Sequence, residues 1–427
     1  MSFRRALGAI LIVALVVRLV VIVATPHFRP INDSADYDRY AVSLVEHGTF
    51  PTSQLTSGPT AFRAPLFPLA LAAAYKLVGV GSASTRWAAG RVLEALLGTI
   101  TVALIALIAV RIWDRRVALT AASIAAVYPP LVLIGSSLMS ESLFIPIGLA
   151  AVLAALIARK SGARRMWWAL GAGVLTGLSA LARSTDLILV IPLAFLVWSK
   201  PPRRSLSSLR SPAIVVGTTL LTLVPWLVRD ADVMHTFVPI TDESGYAVVG
   251  TYNTYAQHRT DYPALYTPPV QEAREFERLV RGRNEAQFSA RLDSLALDYI
   301  EDHPGSVLKT GFWTTLRLFD LTGAGFEREI EPTWGFPGWL AVVSVYSFWL
   351  VGALAVGGAM MRAARRAPWA FWLCPIALLA TTVFVIGATR YRAPADPWIV
   401  LLAALGLIAA WDGWRRPRRR AVASAAA

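Results

Sequence analysis

The chain has 427 residues, 56% of them hydrophobic and only 16% charged, where a soluble chain carries about 25% charged residues. Its apolar residues fall in runs of about 18 or more, long enough to cross a hydrocarbon core of about 30 Å, so a soluble enzyme is excluded. The formal net charge of +14 does not imply a nucleic-acid partner, because the basic residues gather in short loops between apolar runs, as membrane topology requires.

The N-terminal stretch MSFRRALGAILIVALVVRLVVIVA has the basic start of a signal peptide. Its apolar run is too long for one and lacks a small-x-small cleavage site, so it reads as an uncleaved first span over 6–24. Arg18 lies inside that run and calls for a backbone carbonyl of its own or a neighbouring helix. A long polar segment follows, 25–86. Within it DYDRYAVSLVEHG reads as a short amphipathic helix with Tyr37, Tyr40, Ala41, Leu44 and Val45 on one face, and PLFPLALAAAYKLVG suits the interface better than a crossing. Six spans are expected next, near 87–110, 117–135, 142–158, 167–182, 186–199 and 212–228.

The second long polar segment covers 229–336. Its stretch QEAREFERLVRGRNEAQFSARLDSLALDYIEDHPG is a charged amphipathic helical region stopped at Pro304-Gly305, with His303 helping to end it. GFWTTLRLFD beyond it reads as another interface-lying piece. Three last spans are expected near 337–361, 368–388 and 396–411. The expected fold class is therefore an all-α polytopic membrane protein of about ten transmembrane helices with amphipathic juxtamembrane helices. Three parts follow: an N-terminal transmembrane module (1–228) with a first outer loop (25–86), an extracytoplasmic segment (229–336), and C-terminal helices with a basic tail (337–427). No internal repeat stands out, and the one cysteine, Cys374, excludes an intrachain disulfide.

Short-loop charges set the orientation. Arg4/Arg5, Arg115/Arg116, Arg159/Lys160/Arg164/Arg165, Lys200/Arg203/Arg204, Arg362/Arg365/Arg366 and Arg415 to Arg420 all land on one side if both termini are cytoplasmic. The protein is then expected in the cell membrane as a multi-pass chain. The opposite, extracytoplasmic side receives both long segments and the turns near 136–141, 183–186 and 389–395.

On that side lie Asp33, Asp36, Arg63, Glu141, Arg183, Arg390 and Arg392. A charge at a span end costs less than one at the centre, so Arg183 or Glu141 taken singly reads equally well as an interfacial residue. Four arginines on the face that normally lacks them are different. Arginine's planar fork suits phosphate oxygens, and a cluster at headgroup depth points to a phosphorylated lipid. Plainer roles stand beside this one: Asp33 as a helix N-cap, Asp36 as a first-turn carboxylate favoured by the helix dipole, and Tyr246, Tyr252 and Tyr255 as packing residues rather than sugar-stacking ones. His235 and Glu141 are candidates for an acceptor or metal site, although their spacing matches no ligand pattern.

DSADY (Asp33 to Tyr37) with the alanine and leucine of YAVSLVEHG resembles the "D-E-A-x-Y…A…L…G" first loop of the GT-C membrane glycosyltransferases. These are the polyprenyl- or dolichyl-phosphate-sugar-dependent enzymes related to protein O-mannosyltransferases and the aminoarabinose transferases of lipid A. FRAPLFPLALAAAYKLVG resembles their "R-x-P-x-x-P…A…Y…G", LALDYIEDHPGSVLK their "A…I…HPG" helix, and ATRYRAPADPWIVLLAALGL their closing "R-Y-R…P…P…L-A-A". The order is preserved from about residue 31 to 408. The resemblance implies a GT-C-like fold and an inverting sugar transfer, with Asp33 as general base and a polyprenyl-phosphate sugar as donor. An envelope glycan, lipid or protein would be the acceptor. Arg390, Tyr391 and Arg392 would meet the lipid phosphate, with Arg63 and Arg183 helping. Where many members have Asp-Glu, this chain has Asp33-Ser34; the second carboxylate of that pair is lost unless Asp36 supplies one, which leaves the role of a divalent metal ion open.

Two other functions fit parts of the pattern. A transporter or flippase for a lipid-linked sugar would also want arginines, but with polar groups near the midplane and often repeated halves. An assembly subunit of an envelope-polymer machine would not need Asp33 and the arginines together. Use of a cytoplasmic nucleotide sugar is disfavoured by cytoplasmic loops too short for a nucleotide-binding domain.

Overall fold

The structure is a computed structural model that describes residues 2–198, 206–268, 273–330 and 335–425. The expected basic loop Lys200/Arg203/Arg204 and the start of the QEAREF helix lie outside these residues, as do the side chains of Arg415 to Arg420. Helix α1 (Phe3–Ala24) begins at Ser2, whose hydroxyl accepts the Arg5 N–H. It turns Ile12, Val16, Val20 and Val23 outward, as a lipid-facing helix does. The first outer segment folds into α2 (Asp33–Glu46) and α3 (Leu66–Val78), the latter too short to cross. Helices α4 (Ala83–Ile112), α5 (Arg115–Val127) and α6 (Pro129–Ile134) follow.

The break between α5 and α6 has a sequence cause and a partner. Pro130 has no N–H to give the Ala126 carbonyl, and Arg18 supplies the missing donor. Its Nη1 reaches Ala14 O at 2.9 Å and Ala126 O at 3.4 Å, and its Nη2 reaches Leu131 O at 3.4 Å. Gly98 of α4 lies where any Cβ would overlap the guanidinium. The carbonyl partner expected for the buried Arg18 is therefore provided by a proline break.

Helices α7 (Glu141–Lys160) and α8 (Arg165–Ala182) form the next antiparallel pair. A 3-10 turn, Ser184–Leu189, leads into α9 (Val190–Val197), and α10 (Arg210–Met234) returns. The second outer segment holds α11 (Ser244–Thr251), α12 (Thr254–His258), α13 (Ala273–Val280), α14 (Glu285–Asp302), α15 (Gly305–Leu318) and α16 (Ala324–Ile330). His303 ends α14 as expected, stacked on Tyr299 with ring centroids 4.4 Å apart. The chain closes with α17 (Gly338–Ala359), α18 (Trp369–Val383), a 3-10 turn at Thr389–Arg392, and α19 (Asp396–Ala425).

Among the described residues six helices are long and apolar enough to cross a membrane: α1, α4, α7, α10, α17 and α19. Of the other four expected spans, three appear as shorter or broken pieces, α5 with α6, the Ser184–Val197 stretch and the 15-residue α18, while the 18-residue α8 is long enough but less apolar. Proline at 129 and 130 breaks the first of these, and the extended backbone of Arg183 separates α8 from the 3-10 turn. The protein is a multi-pass, all-helical membrane protein. Alanines 118, 121, 122, 125 and 126 of α5 are buried, and small residues let helices approach closely where no hydrophobic force separates lipid from protein.

Three contacts fix which loops share an end. Arg116 pairs with Asp412 at 2.7 Å, and the Trp113 indole donates to Ala363 O at 2.7 Å. Lys160 Nζ meets Arg111 O at 3.3 Å. Three of the expected basic loops therefore converge at one end. Helix α7 runs from there to Glu141, about 30 Å away at 1.5 Å per residue. The polar outer segments gather at that far end.

The α17–α19 crossing depends on Gly358 and Gly406, since a Cβ on either would overlap a main-chain carbonyl of the other helix, Leu402 O or Leu354 O. Gly406→Val is expected to destabilise the fold by about 1–3 kcal/mol or more and to lower the melting temperature in detergent; an unchanged melting curve would show that the crossing tolerates separation.

Candidate active site

Asp33 is the first residue of α2, and the N-cap is Asn32, in the left-handed region at φ 54°. This overturns the N-cap role for Asp33: the helix starts one residue earlier, and the carboxylate is free to point elsewhere. It lies between two arginines. Asp33 Oδ1 accepts from Arg63 Nη2 at 2.6 Å, and Oδ2 accepts from Arg390 Nη2 at 2.6 Å. Arg63 also meets Asp36 Oδ2 through Nε at 3.2 Å and Nη2 at 3.0 Å, and Glu243 Oε2 through Nη1 at 3.1 Å. Arg390 Nε stands 3.1 Å from Glu141 Oε1, which Arg183 Nη1 also reaches at 3.2 Å.

Aromatic rings line the same guanidinium groups. Arg183 and Arg390 lie 5.1 and 4.9 Å from the Tyr391 ring centroid, and Arg63 lies 5.2 Å from that of Tyr37. The Tyr37 hydroxyl donates to Ser140 Oγ at 3.1 Å; burial pushes this phenol up to about 12, so it remains a neutral donor. Asp33, Asp36, Arg63, Glu141, Arg183, Arg390 and Tyr391 thus form one contiguous site, drawn from residues 33 to 391.

The carboxylates differ in access. Glu141 is sealed at 1% side-chain exposure, whereas Asp33 and Glu243 keep 26% and 29%. Burial acts to raise the Asp33 carboxyl, but Arg63 and Arg390 outweigh it and hold it well below the usual carboxylate range. While both arginines hold it, Asp33 is ionised and weakly basic.

Two expected site residues fall elsewhere. Arg392 does not face the cluster: it is fully buried, paired with Asp320 at 2.7 Å and Asp396 at 3.1 Å, and its Nη1 donates to Leu318 O at 2.7 Å. With Thr389 bonded to Asp320 and Glu327, it anchors the TRYR turn from behind. Gly387 permits the approach, because a Cβ there would lie 2.8 Å from Thr314 Cα. His235 ends α10 in a left-handed conformation, exposed to solvent and apart from the cluster.

Tyr246 packs edge-on against Phe62 and Phe288, and Tyr252 is buried with its hydroxyl on Phe384 O at 2.6 Å; both are packing residues, while Tyr255 is exposed. Two contributors carried no sequence signal. Glu243, in ITDESGY, belongs to no motif, and Met139, whose Sδ lies 3.5 Å from Arg390 Nη1, is an apolar residue in the 136–141 turn with nothing to mark it as a partner.

No group of three or more His, Cys, Asp or Glu stands ready to hold a metal ion among the described residues. Ser34, where the family pattern expects a second carboxylate, is buried and bonds Ile31 O at 2.8 Å and Ile31 N at 2.9 Å. The acids nearest to it are already paired with arginine, so the residues present do not fit a metal.

A second acidic group stiffens the outer wall. Glu285, the first residue of α14, accepts from Ser53 Oγ at 2.5 Å, Thr60 Oγ1 at 2.7 Å and Ala61 N at 2.8 Å, tying the approach to Arg63 onto α14. Asp242 beside it is buried. Burial, then the neighbouring Glu285, Asp230 and Glu243, push its carboxyl up to about 8, so it keeps its proton at neutral pH.

Residues 62–228 match the family described as dolichyl-phosphate-mannose-protein mannosyltransferase. Among solved structures, the oligosaccharyltransferase AglB of Archaeoglobus fulgidus, with an inhibitory peptide and a dolichol-phosphate, superposes with a TM-score of 0.53 at 14% identity, over 99% of this chain and 52% of that one. The same organism's enzyme tethered to an acceptor peptide gives 0.55 at 14% identity, over 95% and 50%. ArnT of Cupriavidus metallidurans bound to undecaprenyl phosphate gives 0.43 at 15% identity, over 93% and 76%. No curated protein sequence matches. The chain spans about half the length of the archaeal structures and shares their GT-C fold, the superfamily that its ordered motifs resemble.

Two outcomes are expected here. Arg392→Met breaks a buried ion-pair set and costs about 3–5 kcal/mol, so the melting temperature falls; an unchanged melting curve would show that the Asp320–Arg392–Asp396 set does not hold the turn. For Asp242 the native carboxyl holds a proton that the unfolded chain releases near its usual value of about 3.9. Stability therefore falls as pH rises from about 4 to about 8 and levels off above. Asp242→Asn is expected to raise the melting temperature more at pH 8 than at pH 5, and a pH-independent difference would show an ionised Asp242.

Proposed function

We propose that the protein is an integral membrane glycosyltransferase that moves a sugar from a polyprenyl-phosphate-linked donor to an acceptor hydroxyl on the extracytoplasmic face, with inversion. The observation that carries this is the Asp33 carboxylate shared between Arg63 and Arg390 at 2.6 Å each, open to solvent on one side. An apolar cleft adjoins it. Pro130, Leu133, Ile134 and Phe336 line this cleft together with Arg390, around a cavity of about 30 Å³. That is room for a water molecule, so a prenyl chain would enter by parting α6 from Phe336.

The chemistry follows from the leaving group. A prenyl phosphate departs with its charge spread over phosphate oxygens, so no acid is needed to protonate it, unlike in glycoside hydrolysis. Arg390, with Arg63 and Arg183, takes the phosphate oxygens through paired N–H groups in a site shielded from water. As Arg63 Nη2 and Arg390 Nη2 turn to the phosphate they are withdrawn from Asp33, which regains basicity as the donor binds. Asp33 then removes the acceptor hydroxyl proton, the acceptor oxygen bonds to the anomeric carbon from the face opposite the phosphate, and the carbon–oxygen bond to phosphate breaks with its electron pair going to the phosphate. Asp36 holds Arg63 through Nε and Nη2 and Glu243 holds it through Nη1, and Tyr391 supports Arg183 and Arg390. Sealed Glu141 spaces those two guanidinium groups and does not meet the acceptor. The convergence of basic loops at the opposite end supports an extracytoplasmic site.

The test is transfer by the purified protein in liposomes, with a panel of polyprenyl-phosphate sugars and envelope-type acceptors. Asp33→Asn is expected to lose about 10²–10⁴-fold in turnover while still binding donor, and Arg390→Ala to lose donor binding. If Asp33→Asn turns over like wild type, Asp33 is not the base. If labelled lipid crosses the bilayer with no sugar transfer, the protein is a transporter.

A further inference from the structure

One buried acid lies outside the charge cluster yet grips the turn that delivers three of its contacts. Glu94 of α4 is fully buried. Its Oε2 accepts from the Leu138 N–H at 2.7 Å, and its Oε1 accepts from the Met139 N–H at 2.7 Å and from Ser142 Oγ at 3.0 Å. Leu138 is buried at φ 56°, a left-handed conformation that a branched apolar residue holds only when its surroundings impose it. Successive N–H groups converging on one anion form a nest, and here the protein supplies the anion itself.

Helix α4 holds the same turn at two more points. Arg91 Nε donates to Ser136 O at 2.7 Å, and Gly90 lets the helix close on Leu138, whose Cδ2 would lie 2.6 Å from any Cβ at position 90. Gly90, Arg91 and Glu94 share one helical face. The turn they hold carries Met139, 3.5 Å from Arg390 Nη1; Ser140, 3.1 Å from the Tyr37 hydroxyl; and Glu141, within 3.2 Å of both Arg390 and Arg183.

We propose that Glu94 is a positioning residue for the phosphate-binding arginines: by clamping the Leu138–Met139 turn it sets where Glu141 stands, and through it how Arg183 and Arg390 present their N–H groups to an anionic lipid headgroup. This rests on the phosphate-binding role argued above. Glutamine at 94 keeps the size but has only one acceptor oxygen, and its NH2 would face a backbone N–H.

The experiment uses the full chain in detergent with two readouts. The first is the dissociation constant for a polyprenyl monophosphate. The second needs no ligand: the 19F signal of 3-fluorotyrosine at Tyr391, assigned by its loss in Tyr391→Phe, because that ring lies against both arginines. Glu94→Gln is expected to weaken binding by about tenfold and to move the Tyr391 signal, and Ser142→Ala to shift both in the same direction by less. A lower melting temperature with affinity within about twofold and an unmoved signal would leave Glu94 as a folding residue and overturn the proposal. Should Glu94→Gln fail to fold, Ser142→Ala decides, and unchanged values there overturn it equally. If wild type binds no polyprenyl phosphate, the phosphate reading fails, while the fluorine signal still reports whether Glu94 positions the arginines.

Discussion

The architecture turns on one carboxylate held by two guanidinium groups. Asp33 stands in the first outer loop, Arg63 just before α3, and Arg390 between the last two apolar helices, so their 2.6 Å contacts close the chain's outer face into a ring. Removing charges from water is costly unless each is paired and its remaining donors are used. The cluster meets that condition almost completely: Asp36, Glu141 and Glu243 take the arginine N–H groups that Asp33 does not. An anion entering such a site competes with carboxylates already there, so the phosphate proposed here would have to reach more N–H groups at once than any single carboxylate can.

Behind this layer a second one holds the first in place. Arg392, Asp320, Asp396 and Thr389 bond one another beneath the TRYR turn, while the α4 face of Gly90, Arg91 and Glu94 grips the turn before α7. The working arginines thus project from short turns whose backs are bonded to helices. Rigid support of this kind is what electrostatic stabilisation requires, since dipoles that must reorganise during reaction give back what they contribute.

Much of this was legible in the residues. The apolar runs marked the membrane class, and the ordered motifs marked Asp33, Arg63 and Arg390, which do meet. The Arg390/Arg392 pair was not separable, for a geometric reason: in a 3-10 turn residues two apart point about 240° from each other, so one faces the cluster and the other the interior, and charge alone does not say which. The plainer reading of Asp33 as an N-cap fails because the helix starts one residue earlier, with Asn32 at φ 54° as its N-cap. Glu243 and Glu285 went unseen as partners because each bonds a residue some 180 to 225 positions away, beyond any local pattern. The number of crossings stayed open because proline breaks and 3-10 turns divide apolar runs without changing their hydropathy.

The contact between Asp33 and Arg390 joins residues 357 positions apart, and that distance imposes an order on biosynthesis. The chain is made from its N-terminus, so Asp33 and Arg63 are in place together early, and their pairing spares the first outer loop an unbalanced charge while the rest is still being inserted. Glu141 and Arg183 join next, each neutralising the other. Arg390 comes only with the last apolar helices, and its arrival completes the site. A fragment that ends before α18 would be anchored but lack both Arg390 and Arg392, leaving Asp33 and Glu141 with one arginine each and Asp320 with none, so unbalanced carboxylates would mark it as incomplete.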